Sequence, residues 1–199
     1  MSPQILTGAE TSNKTVRTFH MNKRKDMKYS TKEKKDLKIF NNCKRLSFFK
    51  TAEVVLSYVS VNLEVDTIRI IKHCFNNKKK VAVPVCSFKS NNMNFYYINS
   101  LKELKVKNNF LLEPYAKQEN LFSNFSFLKT ICFVPGFVYD FFGNRIGYGK
   151  GYYDRFFKKN YCLKIGLCYD FNLEEKIKVN CFDVPVNYVL TDKKILKIL

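Results

Sequence analysis

The sequence predicts a single α/β domain with a parallel sheet. Three observations carry this. Residues 53–60, EVVLSYVS, form a β-branched apolar run of strand length, and after a short acidic turn Ile68, Ile71 and Phe75 recur at helical spacing. A strand that feeds a helix is the first half of a βαβ unit, whose crossover makes neighbouring strands parallel. Finally, 199 residues with 46% hydrophobic and 16% aromatic content suffice for one ordinary core.

Taken in order, residues 1 to about 28 show no sustained period and read as a flexible basic arm, leaving 29–199 as the folded domain. Ser30 with Glu33 forms a capping box ahead of Leu37, Phe40 and Cys43 at helical spacing, so a helix is expected to begin near Thr31. After the strand and helix just described, residues 80–85, ending at Pro84, and 93–98 read as strands. Residues 131–134 are an apolar strand leading into a turn, and 152–156 read as the first turns of a helix. Residues 163–169 and 188–191 supply the last strands.

Composition narrows the function classes. No apolar run approaches the ~20 residues of a membrane span, and the N-terminus lacks an apolar signal core, so a soluble cytoplasmic protein is expected. Seven cysteines without a C-x-x-C pair argue against a disulfide framework or a zinc site. The net charge is +18. Residues 1–50 hold thirteen Lys/Arg and four Asp/Glu, a net of 13 − 4 = +9. Such charge makes a basic nucleic-acid-binding module, with tyrosines and phenylalanines as stacking platforms, a competing reading. Lysines that travel with asparagines, as at 76–80 (NNKKK), point instead to solvated faces in a field that also attracts small anions.

Glycine concentrates in one stretch. Gly136, Gly143, Gly147, Gly149 and Gly151 are five of the chain's seven, in VPGFVYDFFGNRIGYGKGYYDRF at 134–156. Glycine used this selectively marks backbone with φ > 0 or backbone that approaches a ligand closely. A strand, a turn, then N–H groups gathered at a helix start make an anion site, and Arg145 and Lys150 add fixed positive charge. The spacing is neither a G-x-x-x-x-G-K-[ST] loop nor G-x-G-x-x-G. As a bare pattern it is also compatible with a glycine-rich hairpin whose tyrosines simply pack. Asp154 has two readings, an ion-pair partner of Arg145 or Arg155, or a hard oxygen ligand for a cation arriving with a nucleotide, and beside a phosphate site the second is the simpler.

The same stretch closely resembles the signature of the 5-formyltetrahydrofolate cyclo-ligase family, P-G-x-x-F-D-x-x-G-x-R-L-G-x-G-x-G-Y-Y-D, with Tyr139 for the phenylalanine and Ile146 for the leucine. The resemblance extends to E-V-D-T at 64–67 and to Glu113-Pro114, and covers most of the chain from about Ser30. It implies three layers, αβα, around a central mixed, mostly parallel sheet, and ATP- and Mg²⁺-dependent cyclisation of 5-formyltetrahydrofolate to 5,10-methenyltetrahydrofolate; a monomer with no specific nucleic-acid partner is expected. It implies ATP contacts from Lys14, Arg17, Pro135, Gly136, Arg145, Gly147, Tyr148, Gly149, Lys150, Gly151, Tyr152 and Tyr153, of which Arg145, Lys150 and Tyr153 are catalytic. Folate contacts are implied for Val59, Glu64, Tyr148, Gly149, Lys150, Gly151 and Tyr152, and Mg²⁺ ligation for Asp154 and Asp183. Asn13 stands where a family lysine aligns, which favours Arg17 over Lys14. Asn172, for a family glutamine, and Lys178, for a proline, are departures. Read without the resemblance, Glu64 is equally an acid at a helix N-terminus, a role that suits Asp66 better. A nucleotide-binding regulator of the same fold without turnover is a further alternative.

Overall fold

A computed structural model describes residues 12–87, 90–107, 111–123 and 129–198. Its sheet is built on apolar runs that alternate between two buried faces. The strands are β1 (Val54–Ser57), β2 (Lys80–Ser87), β3 (Asn92–Ile98), β6 (Thr130–Pro135), β9 (Leu163–Leu167), β11 (Tyr188–Leu190) and β12 (Ile195–Lys197), in the spatial order β12-β11-β9-β6-β1-β2-β3. The inner pairs β2·β1, β1·β6, β6·β9 and β9·β11 are parallel, and the two edges, β3 on β2 and β12 on β11, are antiparallel. The sheet is thus mixed and mostly parallel. β2 runs through Pro84 instead of ending there.

The flanking helices are α1 (Asn13–Lys25), α2 (Tyr29–Arg45), α3 (Ser47–Thr51), α4 (Ile68–Asn76) and α5 (Tyr152–Lys159). On one face of the sheet Val55, Ile131, Phe133 and Ile165 pack with Ile39, Phe49, Ile70 and Ile71 of α2, α3 and α4. On the other, Leu56, Cys132, Val134 and Cys168 pack with Phe156 and Phe157 of α5. These are the three expected layers. Full burial of a side chain such as Ile131 or Phe133 stabilises the fold by roughly 1.5–3 kcal/mol. All seven cysteines are free, six of them buried or half-buried.

Two small sheets complete the chain. β7 (Val138–Asp140) pairs antiparallel with β8 (Arg145–Ile146) and parallel with β10 (Leu173–Glu174), and β4 (Lys105–Val106) pairs with β5 (Leu112–Glu113). The β7–β8 turn is closed by Asp140, whose Oδ1 accepts from the Phe142 and Asn144 amides and whose Oδ2 accepts from Asn144 Nδ2 and the Ile177 amide.

The N-terminal region departs from the expected flexible arm. From Asn13 it is a helix, capped by the Ser12 hydroxyl on the Thr15 amide, and it docks Val16, His20 and Arg24 inward. Its buried stripe mixes apolar and polar residues, so a search for apolar periodicity passes over it. Residues 1–11 of that arm lie outside the described residues. α2 starts at Tyr29, with no side-chain cap from Ser30. Its buried stripe is Asp36, Ile39 and Cys43, whereas Leu37 is exposed. Helix propensity and packing hold this helix without the capping box.

Candidate active site

The C-terminal ends of β1, β6 and β9 converge, as they do at ligand crevices of open α/β sheets. β1 runs into the loop 58–67, β6 into the glycine-rich stretch, and β9 into a 3-10 turn at Asp170–Asn172. The first loop is pinned by its own polar atoms. Thr67 Oγ1 donates to the Tyr58 carbonyl at 2.6 Å and accepts from the Ser60 amide, Ser60 Oγ accepts from the Thr67 amide, and Tyr58 OH donates to the Val65 carbonyl. Asp66 Oδ1 accepts from the Ile68 and Arg69 amides, which makes it the acid at the N-terminus of α4.

Glu64 is thereby left for other work. Its Oε2 accepts from the Val61 amide at 3.0 Å, and its Oε1 accepts from Tyr148 OH at 2.8 Å, 84 residues away in the glycine-rich stretch. Burial raises the Glu64 carboxyl above its ordinary value, against the opposing pull of these two hydrogen bonds. Burial also raises the Tyr148 phenol, and the neighbouring Glu64 charge adds to it. Val59, on the same loop, is buried in the core.

The glycine-rich stretch takes the backbone forms its composition requires at three positions: Gly143 at φ 79°, Gly149 at φ 86° and Gly151 at φ 63°. Gly151 is the left-handed residue that starts α5. Gly136 has a different reason: a Cβ there would lie 2.6 Å from the Tyr139 ring. Lys150 is exposed, and its carbonyl accepts from Arg155 Nη2 at 2.6 Å. Arg17, on α1, lies against this loop. A Cβ on Gly149 would sit 3.5 Å from Arg17 Nη2, and Arg17 Nε is buried without a hydrogen-bond partner. Lys14, one turn earlier, is exposed.

Arg145 and Asp154 meet where β8 and α5 come together. Arg145 Nη1 donates to the Val184 carbonyl and Nη2 to Asp154 Oδ1, both at 2.7 Å, so this guanidinium is committed to protein groups. Asp154 Oδ1 also accepts from the Val184 amide at 3.1 Å. Asp154 is ion-paired with Arg145, while Arg155 bonds to the Asn91 and Lys150 carbonyls. Asp183 Oδ2 accepts from the Asn180 amide and closes its own turn. Among the described residues no three His, Cys, Asp or Glu side chains gather as a metal site. Asp154 Oδ2 takes no hydrogen bond among them, leaving one free carboxylate oxygen beside the loop.

Tyr152 and Tyr153 open α5 with both hydroxyls buried and unpartnered. The Tyr153 ring packs on Phe95 and Phe157, and burial raises its phenol well above the ordinary range, so the hydroxyl keeps its proton. Pro135 ends β6, and Gly147 has open space at its Cβ position. Glu113 accepts from the Cys86 amide and pairs with Lys107, a structural tie.

Sequence reading missed Arg24, His20 and Glu174, and marked Asn172 only as a departure. Arg24, 2% exposed, donates from Nε to Asn172 Oδ1 and from Nη2 to the Gly136 and Phe137 carbonyls. Asn172 Nδ2 donates in turn to His20 Nδ1, and His20 Nε2 meets Glu174 Oε1 at 2.6 Å. Asn172, a departure from the family pattern, is thus a buried bridge. Lys178, the other departure, offers its carbonyl to Asn13 Nδ2.

Fold and site together define an α/β protein whose glycine-rich loop at the strand ends is flanked by cations and tied through Tyr148 to a half-buried carboxylate. The 5-formyltetrahydrofolate cyclo-ligase family model matches residues 9–192, and the chain belongs to that family. It is 30% identical over 165 residues to 5-formyltetrahydrofolate cyclo-ligase of Mus musculus, covering 76% of this chain and 74% of the relative. It is 29% identical over 148 residues to that of Escherichia coli K12, covering 72% and 80%. The fold is similar to that of Aquifex aeolicus 5,10-methenyltetrahydrofolate synthetase, with a TM-score of 0.78, 26% identity, and 94% and 92% of the two chains covered. Among the described residues no helix is long and apolar enough to cross a membrane.

Proposed function

We propose that this chain cyclises 5-formyltetrahydrofolate to 5,10-methenyltetrahydrofolate with ATP, releasing ADP and phosphate. The observation that carries the reading is the Tyr148–Glu64 hydrogen bond, which joins the two separate family-like motifs, 64–67 and 135–154, in one crevice. A relative from Arabidopsis thaliana, 26% identical over 209 residues and named as the mitochondrial cyclo-ligase, has the same activity in its name.

The chemistry explains the residue types. A formamide carbon is a poor electrophile. Its oxygen attacks the γ-phosphorus of ATP, the bond to the β-phosphate oxygen breaks, and ADP leaves. N10 then adds to the activated carbon, the C–O bond to phosphate breaks, and N10 loses its proton as the methenyl bridge forms. No enzyme nucleophile is required, so positioning and charge neutralisation carry the catalysis. Glu64 faces the folate and accepts from its N–H groups, and Tyr148 holds that carboxylate in place. Arg17, with its buried unpaired Nε, and Lys150 face the phosphates. Backbone N–H groups at Gly149 and Gly151 favour the same anion. Tyr152 and Tyr153 supply donors whose hydroxyls are unpartnered in the protein. Arg145 acts through Asp154, orienting its carboxylate.

Mg²⁺ suits this donor set, because the ion takes one or two carboxylates plus phosphate oxygens and keeps several waters. Asp154 Oδ2 would hold it, with Asp183 as a second candidate, and it would neutralise charge on the phosphates. The test is the absorbance rise of 5,10-methenyltetrahydrofolate on mixing the protein, Mg-ATP and 5-formyltetrahydrofolate. Nucleotide binding without that rise would favour the regulator reading.

A further inference from the structure

Arg24 is an expensive residue where it stands. It is a buried cation that forms no ion pair among the described residues and is satisfied by one amide oxygen and two backbone carbonyls. Moving an unpaired charge out of water costs several kcal/mol unless hydrogen bonds offset it. Its carbon also lies 5.4 Å from the centre of the Phe137 ring and 5.6 Å from that of Tyr169. An apolar residue would fill such a place at less cost, so the geometry carries the explanation. The carbonyls that Arg24 grips belong to Gly136 and Phe137, the two residues that follow β6 into the glycine-rich stretch. Arg17 lies seven residues before Arg24 on α1, two helical turns along the same face. Arg17 is the residue whose guanidinium rests on Gly149.

We infer that Arg24 is a positioning residue for the nucleotide site: by clamping α1 to the base of the glycine-rich stretch, it fixes Arg17 over Gly149. Asn172 and His20 keep the clamp in register. Asn172 Oδ1 is held toward Arg24 because its Nδ2 donates to His20 Nδ1, and His20 is held by Glu174 on β10, which pairs with β7. A guanidinium suits this role where an ammonium would not, because one planar fork reaches Asn172 on one side and both carbonyls on the other. An error of about 1 Å in a phosphate-binding group can cost roughly 10²-fold.

The inference rests on the nucleotide reading of the site, and titration calorimetry with Mg-ATP on the full chain tests it independently of turnover. Arg24→Lys keeps the charge and loses the fork, and should raise the Mg-ATP Kd by roughly tenfold or more. Asn172→Ala, which leaves both carbonyl bonds intact, should raise it in the same direction by about threefold. The decisive reading is a double-mutant cycle, since two residues acting as one unit are not additive. In an Arg17→Ala background, Arg24→Lys should cost little further affinity. A purely structural Arg24 would lower the melting temperature and leave the Kd of folded protein unchanged, and additive losses would overturn the inference as well. If Arg24→Lys does not fold, Asn172→Ala with and without Arg17→Ala decides. Coupling without methenyl product from the parent protein would leave the clamp standing and remove the cyclo-ligase reading. Product with additive losses would do the reverse.

Discussion

Two carboxylates in the crevice differ in how they are held, and that difference separates their predicted phenotypes. Glu64 is half-buried, and its carboxyl is raised by desolvation. Glu64→Gln keeps the shape and removes the charge, so the KM for 5-formyltetrahydrofolate should rise severalfold while that for ATP stays within about twofold. A raised carboxyl binds its proton more tightly folded than unfolded, so its contribution to stability is largest at acid pH and is lost as pH rises through the raised value. The Gln variant should therefore match or exceed the parent in melting temperature at neutral pH. A lower melting temperature with unchanged kinetics would make Glu64 a structural acid instead. Asp154 is bound on one oxygen by Arg145 and by the Val184 amide. Asp154→Asn should lower the melting temperature, because it breaks a half-buried pair, and should also raise the Mg²⁺ concentration for half-maximal rate. Overlaid Mg²⁺ titrations of variant and parent would leave only the ion pair. Arg145→Ala should lower turnover by at least about tenfold, or 1.4 kcal/mol, by releasing Asp154.

At the level of elements, the α1–β7–β10 junction carries a pH dependence. Burial lowers His20 below its ordinary 6.5, opposed by the hydrogen bond and charge of Glu174 and assisted by Lys23 and Arg24. Asn172 Nδ2 can only donate, so His20 Nδ1 accepts and the ring's proton sits on Nε2, facing Glu174. A second proton has nowhere to go without breaking the Asn172 bond. The unfolded chain then binds a proton that the folded one refuses, and stability falls as pH drops from 6.5 toward the lowered folded value. Chemical denaturation across pH 5–8 should show this slope, and His20→Gln should flatten it. A slope identical in the two proteins would place its origin elsewhere. Packing between elements supplies a second test. A Cβ on Gly166 of β9 would lie 2.4 Å from the Tyr139 ring, whose hydroxyl is fixed on the Val134 carbonyl. Gly166→Ala should destabilise by about 1–3 kcal/mol through overpacking, read from denaturant midpoints.

Across the whole molecule, what was legible in sequence is what rests on periodicity or on glycine. The parallel strands β1 and β6 rest on β-branched and apolar runs, β9 on a shorter apolar run interrupted by Lys164 and Gly166, and Gly143, Gly149 and Gly151 take the positive φ that their clustering announced. What was illegible rests on polar burial at long range. Val16, His20 and Arg24 form an inward stripe that no hydropathy pattern marks, and Arg24 meets partners more than a hundred residues away. The Arg145–Asp154 pair was visible only as one of two readings, because spacing does not tell an ion pair from a metal ligand. The overall charge poses the remaining question. At +18 the chain attracts any polyanion, and a nucleic-acid module is the competing function class. Among the described residues several cations are already engaged: Lys32 holds Asp36, Lys35 holds Asp192, Lys129 holds Glu53, and Lys193 and Lys194 flank Asp170. Binding driven by such a field is counterion release, which collapses with salt, whereas a phosphate gripped in a glycine-rich crevice is largely sheltered from it. Generic single-stranded oligonucleotide should therefore lose most of its affinity between about 0.05 M and 0.2 M salt. Over the same range Mg-ATP affinity should change by only a few fold, and saturating oligonucleotide should leave methenyl formation intact. Tight oligonucleotide binding that survives 0.2 M salt and blocks Mg-ATP would mark the crevice as a nucleic-acid groove.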